Sequence, residues 1–202
     1  MTAEGGPKVS DDLERWFNSD GDKTIGGFSE SFAEKTFALL FVLLMATPAL
    51  PLPTGGATHV FEIVVVVLAL QLIAGRDQVW LPRRWRRVEV GGDRQQRLAR
   101  GLVRTIRRVE RLSRPRGRFI FGHRSSNIAF GVLVIGGAVG AFFAPPFSGL
   151  DTLPSLGVLL LSLGVLLEDL AVVVGAIVVG VVGVVLEVVV GTAAINGLSG
   201  LF

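Results

Sequence analysis

The stretch LAVVVGAIVVGVVGVVLEVVV, residues 170–190, decides the class of this chain. It is 21 residues long, and Glu187 is its one charged side chain. A helix of this length rises about 32 Å, enough to cross a hydrocarbon core of ~30 Å. Lipid offers no partner to backbone N–H and C=O groups, so the stretch is predicted to be a transmembrane helix despite its many valines.

Two earlier regions resemble each other in pattern. Each has an apolar run, a proline-rich break, a second apolar run and a charged stop, with the breaks at 48–58 and 145–154. A shift of about 93 positions superposes Pro53 on Pro146 and Arg76 on Asp169, which indicates a weak internal repeat. The short runs either cross the membrane fully or form re-entrant hairpins, and in both cases the two copies enter from the same side.

Charge is concentrated in one loop. The mean hydropathy is +0.59, yet 16 of the 20 Lys and Arg residues lie between Arg76 and Arg124. A short loop this rich in arginine is typical of the cytoplasmic side of a membrane. No aromatic and basic reading module accompanies it, so no nucleic-acid partner is expected. Cysteine is absent and the only histidines, His59 and His123, are far apart, so no metal or other cofactor is expected.

These features predict an all-α, polytopic integral membrane protein. The predicted parts are a polar cytoplasmic segment (1–30), a first broken-helix hairpin (31–75), an Arg-rich cytoplasmic loop (76–125), a second hairpin (126–169), and a transmembrane helix with its tail (170–202). Within the loop, Leu98, Leu102, Ile106, Val109 and Leu112 recur at helical spacing between arginines. This amphipathic helix either lies on anionic lipid or packs its apolar stripe on the protein itself.

Ionisable groups at membrane depth usually face a cavity or a partner, so Glu62 and Glu187 are the leading candidates for binding a substrate or ion. The alternative is that each lies at a water interface. Polar side chains in and beside the breaks complete the predicted site: Thr54, Thr58, His59, Gln71, Ser148, Asp151 and Thr152. Helix capping and interhelical hydrogen bonding are the alternative roles for these side chains. Four residues at the ends of the repeats are predicted to act as a gate or a structural clasp, or as ordinary surface pairs: Arg76, Asp77, Glu168 and Asp169.

The chain resembles the ExoD family of bacterial membrane proteins. The resemblance rests on an ordered set of short motifs: 50–53 (LPLP), 69–72 (ALQL), 80–82 (WLP), 108–112 (RVERL), 152–154 (TLP) and 166–169 (LLED). It implies a polytopic inner-membrane protein associated with exopolysaccharide production and alkaline tolerance, and transport of a small cationic solute such as arginine. It supplies no catalytic residues. The break at 144–151 departs from the Pro-x-Pro form of the family.

The leading hypothesis is therefore a secondary transporter, coupled to a proton or cation, with a polar site near the middle of the membrane. The alternative is a membrane scaffold for exopolysaccharide assembly that moves no solute. The expected partners are the lipid bilayer, a small-molecule or ion substrate and a second copy of the chain, since Gly136 and Gly140 form a GxxxG motif. No Ser-His-Asp set or nucleotide-binding loop is present, so an enzyme is not expected.

Overall fold

A computed structural model describes the protein at residues 9–19, 24, 27, 35–50, 58–76, 78–80, 82, 101, 103–104, 106–111, 113, 123–144 and 148–199, with side chains to 193. Its main elements are helices: α1 (Val9–Asn18), α2 (Thr36–Met45), α3 (His59–Ile73), α4 (Arg124–Phe143), α5 (Thr152–Leu166) and α6 (Leu170–Ser199). The all-α prediction is confirmed for this part of the chain. The chain divides into two compact units, unit 1 (Met1–Thr36 with Asp77–Arg114) and unit 2 (Phe37–Arg76 with Pro115–Phe202).

Unit 1 joins α1 to the helical residues 106–111 of the Arg-rich loop. The apolar side chains of Leu13 and Ile106 are almost wholly buried. The backbone N–H of Ser10 donates to Glu110 at 3.0 Å, and the Ser10 hydroxyl donates to the other oxygen of the same carboxylate. The described part of the amphipathic stripe therefore packs on the protein itself; Leu98, Leu102 and Leu112 lie outside the described residues.

Arg107 links the same two segments by charge. Its guanidinium donates to Glu14 and, at 3.3 Å, to Asp11 on α1. The hydrogen bond that Arg107 donates to Glu14 is the main reason that the pKa of Arg107 is raised above its ordinary value. Arg104, Arg108 and Arg111 of the same segment are exposed, so the segment holds α1 with one arginine and presents others to the surroundings.

Unit 2 contains two helices that are long and apolar enough to cross a membrane, Arg124–Phe143 and Leu170–Ala193. Only 28% and 17% of their most apolar windows are buried inside the protein. The core helix of a soluble protein would be mostly buried, whereas these helices present rows of valines, such as Val174, Val178 and Val182, to the outside. The fold is consistent with a membrane protein.

The helix lengths differ in part from the sequence prediction. Helix α4 begins at Arg124, before the apolar run at Ile128, and thereby reaches 20 residues. Helix α6 continues past Val190 to Ser199. Helices α3 and α5 are 15 residues each, about 22 Å, and stay shorter than the core. Helix α2 has 10 residues against 20 in α4, so the two halves are unequal and the repeat stays a prediction.

Helix α5 is buried on nearly every side and packs between α4 and α6. Glycines permit these contacts. A Cβ on Gly157 would lie 2.5 Å from the Gly180 Cα of α6, and one on Gly140 of α4 would lie 2.7 Å from Val184 Cγ2. Gly136 has open space around it. Gly140 of the GxxxG motif thus packs against α6 of the same chain. The homodimer stays a prediction.

Candidate functional site

One end of unit 2 gathers polar side chains from three helices. Helices α3 and α4 run antiparallel, because the His59 ring at the start of α3 lies 4.9 Å from the Phe142 ring at the end of α4. At the opposite end, a Cβ on Gly75 would lie 3.5 Å from the Arg124 guanidinium. The first residues of α3 and α5 therefore lie at the end remote from Arg124.

Glu62, one turn into α3, is wholly buried. Its Oε2 lies 2.8 Å from Nδ1 of His59, which is partly exposed and donates when Nδ1 carries a proton. Its Oε1 has no hydrogen-bond partner among the described residues. The first turn of a helix favours negative charge, but a buried carboxylate oxygen without a donor is costly. The water-interface alternative for Glu62 does not fit its full burial.

Glu187 approaches from α6 and is 7% exposed. A Cβ atom added to Gly140 of α4 would lie 3.9 Å from the Oε2 atom of Glu187. The same added atom would lie 3.8 Å from the Cβ of Pro154 on α5. This oxygen also has no hydrogen-bond partner in the described part of the chain. Glu187 therefore points into the seam between α4 and α5.

Asp151 precedes the first residue of α5 and lies near both glutamates. Its carboxylate repels those of Glu62 and Glu187, and His59 attracts it. Burial raises the pKa of Asp151, against the opposing effects of its own backbone N–H, of His59 and of the Thr152 N–H. The result is a cluster of three carboxylates and one imidazole at one end of the unit, hereafter the carboxylate cluster (His59, Glu62, Asp151 and Glu187).

Hydroxyl groups border this cluster on α5. The Thr152 Oγ1 and Ser155 Oγ are buried and have no hydrogen-bond partner among the described atoms. Ser155 is wholly buried and lies one helical turn after Asp151, whose carbonyl accepts its backbone N–H at 3.1 Å. In the preceding loop, the Ser148 hydroxyl accepts the N–H of Leu150 at 3.2 Å, which is a turn contact.

The remaining predicted site residues are placed as follows. Thr58 is buried, and its carbonyl accepts the N–H groups of Phe61 and Glu62 at the start of α3. Gln71 lies nine positions after Glu62, about 14 Å along α3, at the other end of that helix. The structure does not bring Gln71 to the carboxylate cluster. Thr54 and Asp77 lie outside the described residues.

The proposed gate residues lie at the Arg124 end. Asp169 caps α6, because its Oδ1 accepts the N–H of Ala171 at 2.9 Å. Glu168 adopts a left-handed backbone conformation, with φ of 54°, at the turn between α5 and α6. Arg76 is exposed after α3. Asp169 therefore has a structural role in the turn, and a gate stays a prediction.

The predicted mid-membrane position of the site depends on where the membrane begins. Glu187 follows Leu170 by 17 positions on one helix, about 26 Å. A span that begins at Leu170 places the carboxylate nearer the far boundary of a ~30 Å core than its midplane. A site at mid-membrane stays a prediction.

The sequence analysis missed Ser155 and Phe142. Ser155 follows Asp151 by four positions, the spacing that places two side chains on one helix face, and this was a usable signal. Phe142 carried no such signal, since its contact with His59 joins residues 83 positions apart. An apolar groove of about 390 Å³ between α4, α5 and α6 was also not anticipated. Its walls include Gly136, Gly157 and Val181 and present only apolar side chains, which suits an acyl chain better than a polar solute.

The helices and the carboxylate cluster are consistent with an α-helical membrane protein that has ionisable groups buried between its helices. The family described as "Exopolysaccharide synthesis, ExoD" matches residues 9–189, and the chain belongs to this family. The family is linked by that description to exopolysaccharide synthesis.

Two curated proteins are similar over part of their length. Protein ExoD of Rhizobium meliloti is 29% identical over 130 residues, covering 64% of this chain and 54% of that protein. An uncharacterized protein of Synechocystis sp. is 28% identical over 127 residues, covering 63% of this chain and 59% of that protein. The chain thus aligns with somewhat over half the length of either relative. No solved structure matches it significantly.

Proposed function

We propose that this protein is a membrane component of bacterial exopolysaccharide synthesis that acts in the inner membrane with its Arg-rich loop in the cytoplasm. The family match over residues 9–189 carries this proposal. The favoured form is a scaffold that moves no solute and offers unit 1 to other synthesis proteins. Neither this form nor the transport form below involves an enzymatic reaction.

Unit 1 supports the scaffold form through its exposed arginines. Arg104, Arg108 and Arg111 are exposed, whereas Arg107 is engaged by α1. Exposed guanidinium groups form bidentate contacts with carboxylates of a partner. The scaffold form therefore assigns partner binding to the three exposed arginines and a structural role to Arg107.

The scaffold test uses a bacterial strain that lacks its own family member and is complemented with variants of this chain. Reversal of Arg104, Arg108 and Arg111 to Glu is expected to abolish exopolysaccharide secretion and co-purification with synthesis proteins at unchanged membrane level. The matched control is Glu62→Gln, which leaves unit 1 intact and should secrete normally. Normal secretion by the triple variant contradicts the scaffold form.

Transport of a small solute is the second candidate, favoured by the carboxylate cluster. Glu62 and Glu187 are buried between helices with an oxygen unpartnered among the described residues. Such intramembrane groups commonly mark ion or substrate pathways, and an anionic cluster selects a cationic solute. Arginine is a suitable first substrate.

The transport test measures flux of labelled arginine in proteoliposomes under an imposed proton gradient. Flux above that of empty liposomes is expected, with loss in Glu62→Gln. Asp12→Asn is the matched control, because it also replaces a carboxyl group with an amide but lies on α1 of unit 1. Absence of flux for arginine and for other small cations in properly folded protein removes this candidate and leaves the scaffold form.

A further inference from the structure

Four buried oxygen atoms in the described part of unit 2 have no hydrogen-bond partner: Glu62 Oε1, Thr152 Oγ1, Ser155 Oγ and Glu187 Oε2. Two belong to carboxyl groups on α3 and α6, and two to hydroxyl groups in the first turn of α5. Glu62 and Ser155 are 0% exposed, and Glu187 is 7% exposed. Leaving such groups unpaired is costly, and more so for a charge, so each of them favours a state that supplies a hydrogen-bond partner.

The groups converge on one place. Glu187 Oε2 borders Gly140 on α4, and Pro154 of α5 borders the same position. Pro154 stands between Thr152 and Ser155 in the sequence, so the α6 carboxyl group approaches the α5 turn that carries both hydroxyls. Glu62 contacts His59, and the His59 ring lies 4.9 Å from the ring of Phe142, two positions after Gly140. Both carboxyl groups therefore lie beside the same end of α4.

The charges around these groups do not balance. Between their ends, α2, α4 and α5 carry no ionisable side chain, α6 carries only Glu187, and α3 carries only His59 and Glu62. Asp151 precedes α5. Three carboxyl groups thus face a single imidazole, and even a protonated His59 leaves two negative charges in a region lined by apolar helices. The members of the cluster are not spaced to hold a metal ion together, since no three His, Asp or Glu side chains of the described residues form such a group.

We infer that Glu62 and Glu187 form a proton-binding pair, in which at least one of the two carboxyl groups is protonated at neutral pH and the proton exchanges with solution. Two carboxyl groups that share a poorly solvated site favour one proton between them, as their charges repel. A protonated carboxyl group also supplies the O–H donor that the surrounding oxygens lack. Thr152 and Ser155 then serve as acceptors for it, or as donors to the partner that stays ionised.

The role of this pair rests on the transport candidate, in which it would be the coupling site and the coupling ion would be the proton. The pair itself is measured without any solute. His59 is partly exposed and contacts Glu62, so it is the residue through which the proton reaches solution.

The experiment is infrared difference spectroscopy of the full chain in lipid nanodiscs, titrated between about pH 5 and 9, where buried carboxyl groups are documented to ionise. The expected result is a carboxylic C=O band that persists at neutral pH and disappears as the pH rises. Glu62→Gln should remove part of this band, and Glu62→Asp, which keeps a carboxyl group, should restore it. In Glu187→Gln the remaining Glu62 band should ionise at a lower pH than in the unmodified chain, because a repelling charge is lost.

Glu168→Gln is the matched control and should leave the titration unchanged, and size-exclusion chromatography confirms that every variant is folded. A titrating band that Glu62→Gln and Glu187→Gln both leave intact overturns the inference, as does the absence of any such band. Loss of the band at constant pH when choline chloride is replaced by sodium chloride also overturns it, since the ligand is then a metal cation. If solute flux is measured but the titrating C=O band is absent, only the proton-pair inference is overturned. If the band is present but no flux is measured, only the transport candidate is overturned.

Discussion

The contact between α5 and α6 makes Gly157 and Gly180 unequal, although both are glycines facing each other. A Cβ on Gly157 would lie 2.5 Å from the Gly180 Cα and 2.8 Å from the Gly180 N. A Cβ on Gly180 would lie 3.7 Å from its nearest neighbour, the Gly157 Cα, which is an ordinary contact. Gly157→Ala is therefore expected to destabilise the helix pair, and Gly180→Ala to be tolerated.

The magnitude follows from the distance. Carbon atoms pack at about 3.5–4.0 Å, so the Gly157→Ala methyl group needs the helices to separate locally by about 1 Å. Both obstructing atoms belong to the backbone, and no side-chain rotation can relieve the contact. Overpacking of this kind costs about 1–3 kcal/mol. Since 1 kcal/mol shifts the Tm of a chain of this size by roughly 2–4 °C, the expected decrease is about 2–12 °C.

The assay is the fraction of detergent-solubilised protein that stays monodisperse by size-exclusion chromatography after heating through a temperature series. The unmodified chain, Gly157→Ala and Gly180→Ala are compared in parallel. Gly136→Ala is a further control, because a Cβ there meets nothing within 4 Å. Equal melting temperatures for Gly157→Ala and Gly180→Ala would refute the described register of α5 against α6.

Three smaller predictions concern the ends of the helices. Asp169→Ala should lower the Tm through the loss of about 1 kcal/mol of capping to Ala171, while Asp169→Asn retains it; equal loss in both would favour a charge-dependent gate. Ser10→Ala should weaken unit 1 by about 1 kcal/mol, seen as faster proteolysis of α1, because Glu110 loses a donor; unchanged proteolysis would contradict this contact. Burial raises the pKa of Asp151, so its stabilising contribution is present below its unfolded pKa of about 3.9 and is lost as the pH rises through the folded pKa. Asp151→Asn should therefore melt higher than the unmodified chain at about pH 7 and at the same temperature near pH 3, and a lower Tm at neutral pH would contradict this sign.

The sequence by itself predicted a lipid environment for this protein, and the exposed apolar helices of the fold are consistent with it. Residues 170–190 are too long and too apolar for a water-exposed helix, and backbone hydrogen bonding in lipid permits little except a helix there. Prolines and glycines located the breaks, and the rarity of charge in apolar runs identified Glu62 and Glu187 as candidate site residues. The helices are confirmed in the described residues because hydropathy and helix breaking are local properties, whereas the roles of Glu62 and Glu187 stay predictions.

Only the tertiary structure decided which of these residues meet. Glu62 and Glu187 are 125 positions apart, and their approach depends on the antiparallel order of α3 to α6 and on the rotation of each helix about its axis. Gln71 has the same polar character in the same helix, yet it lies at the opposite end. Likewise, the arginines of residues 104–111 read alike in sequence, but α1 engages Arg107 and leaves Arg104 and Arg108 exposed. Hydropathy does not encode the rotation or partner of a helix, because these are fixed by close packing between distant segments, such as the contact of Gly157 with Gly180.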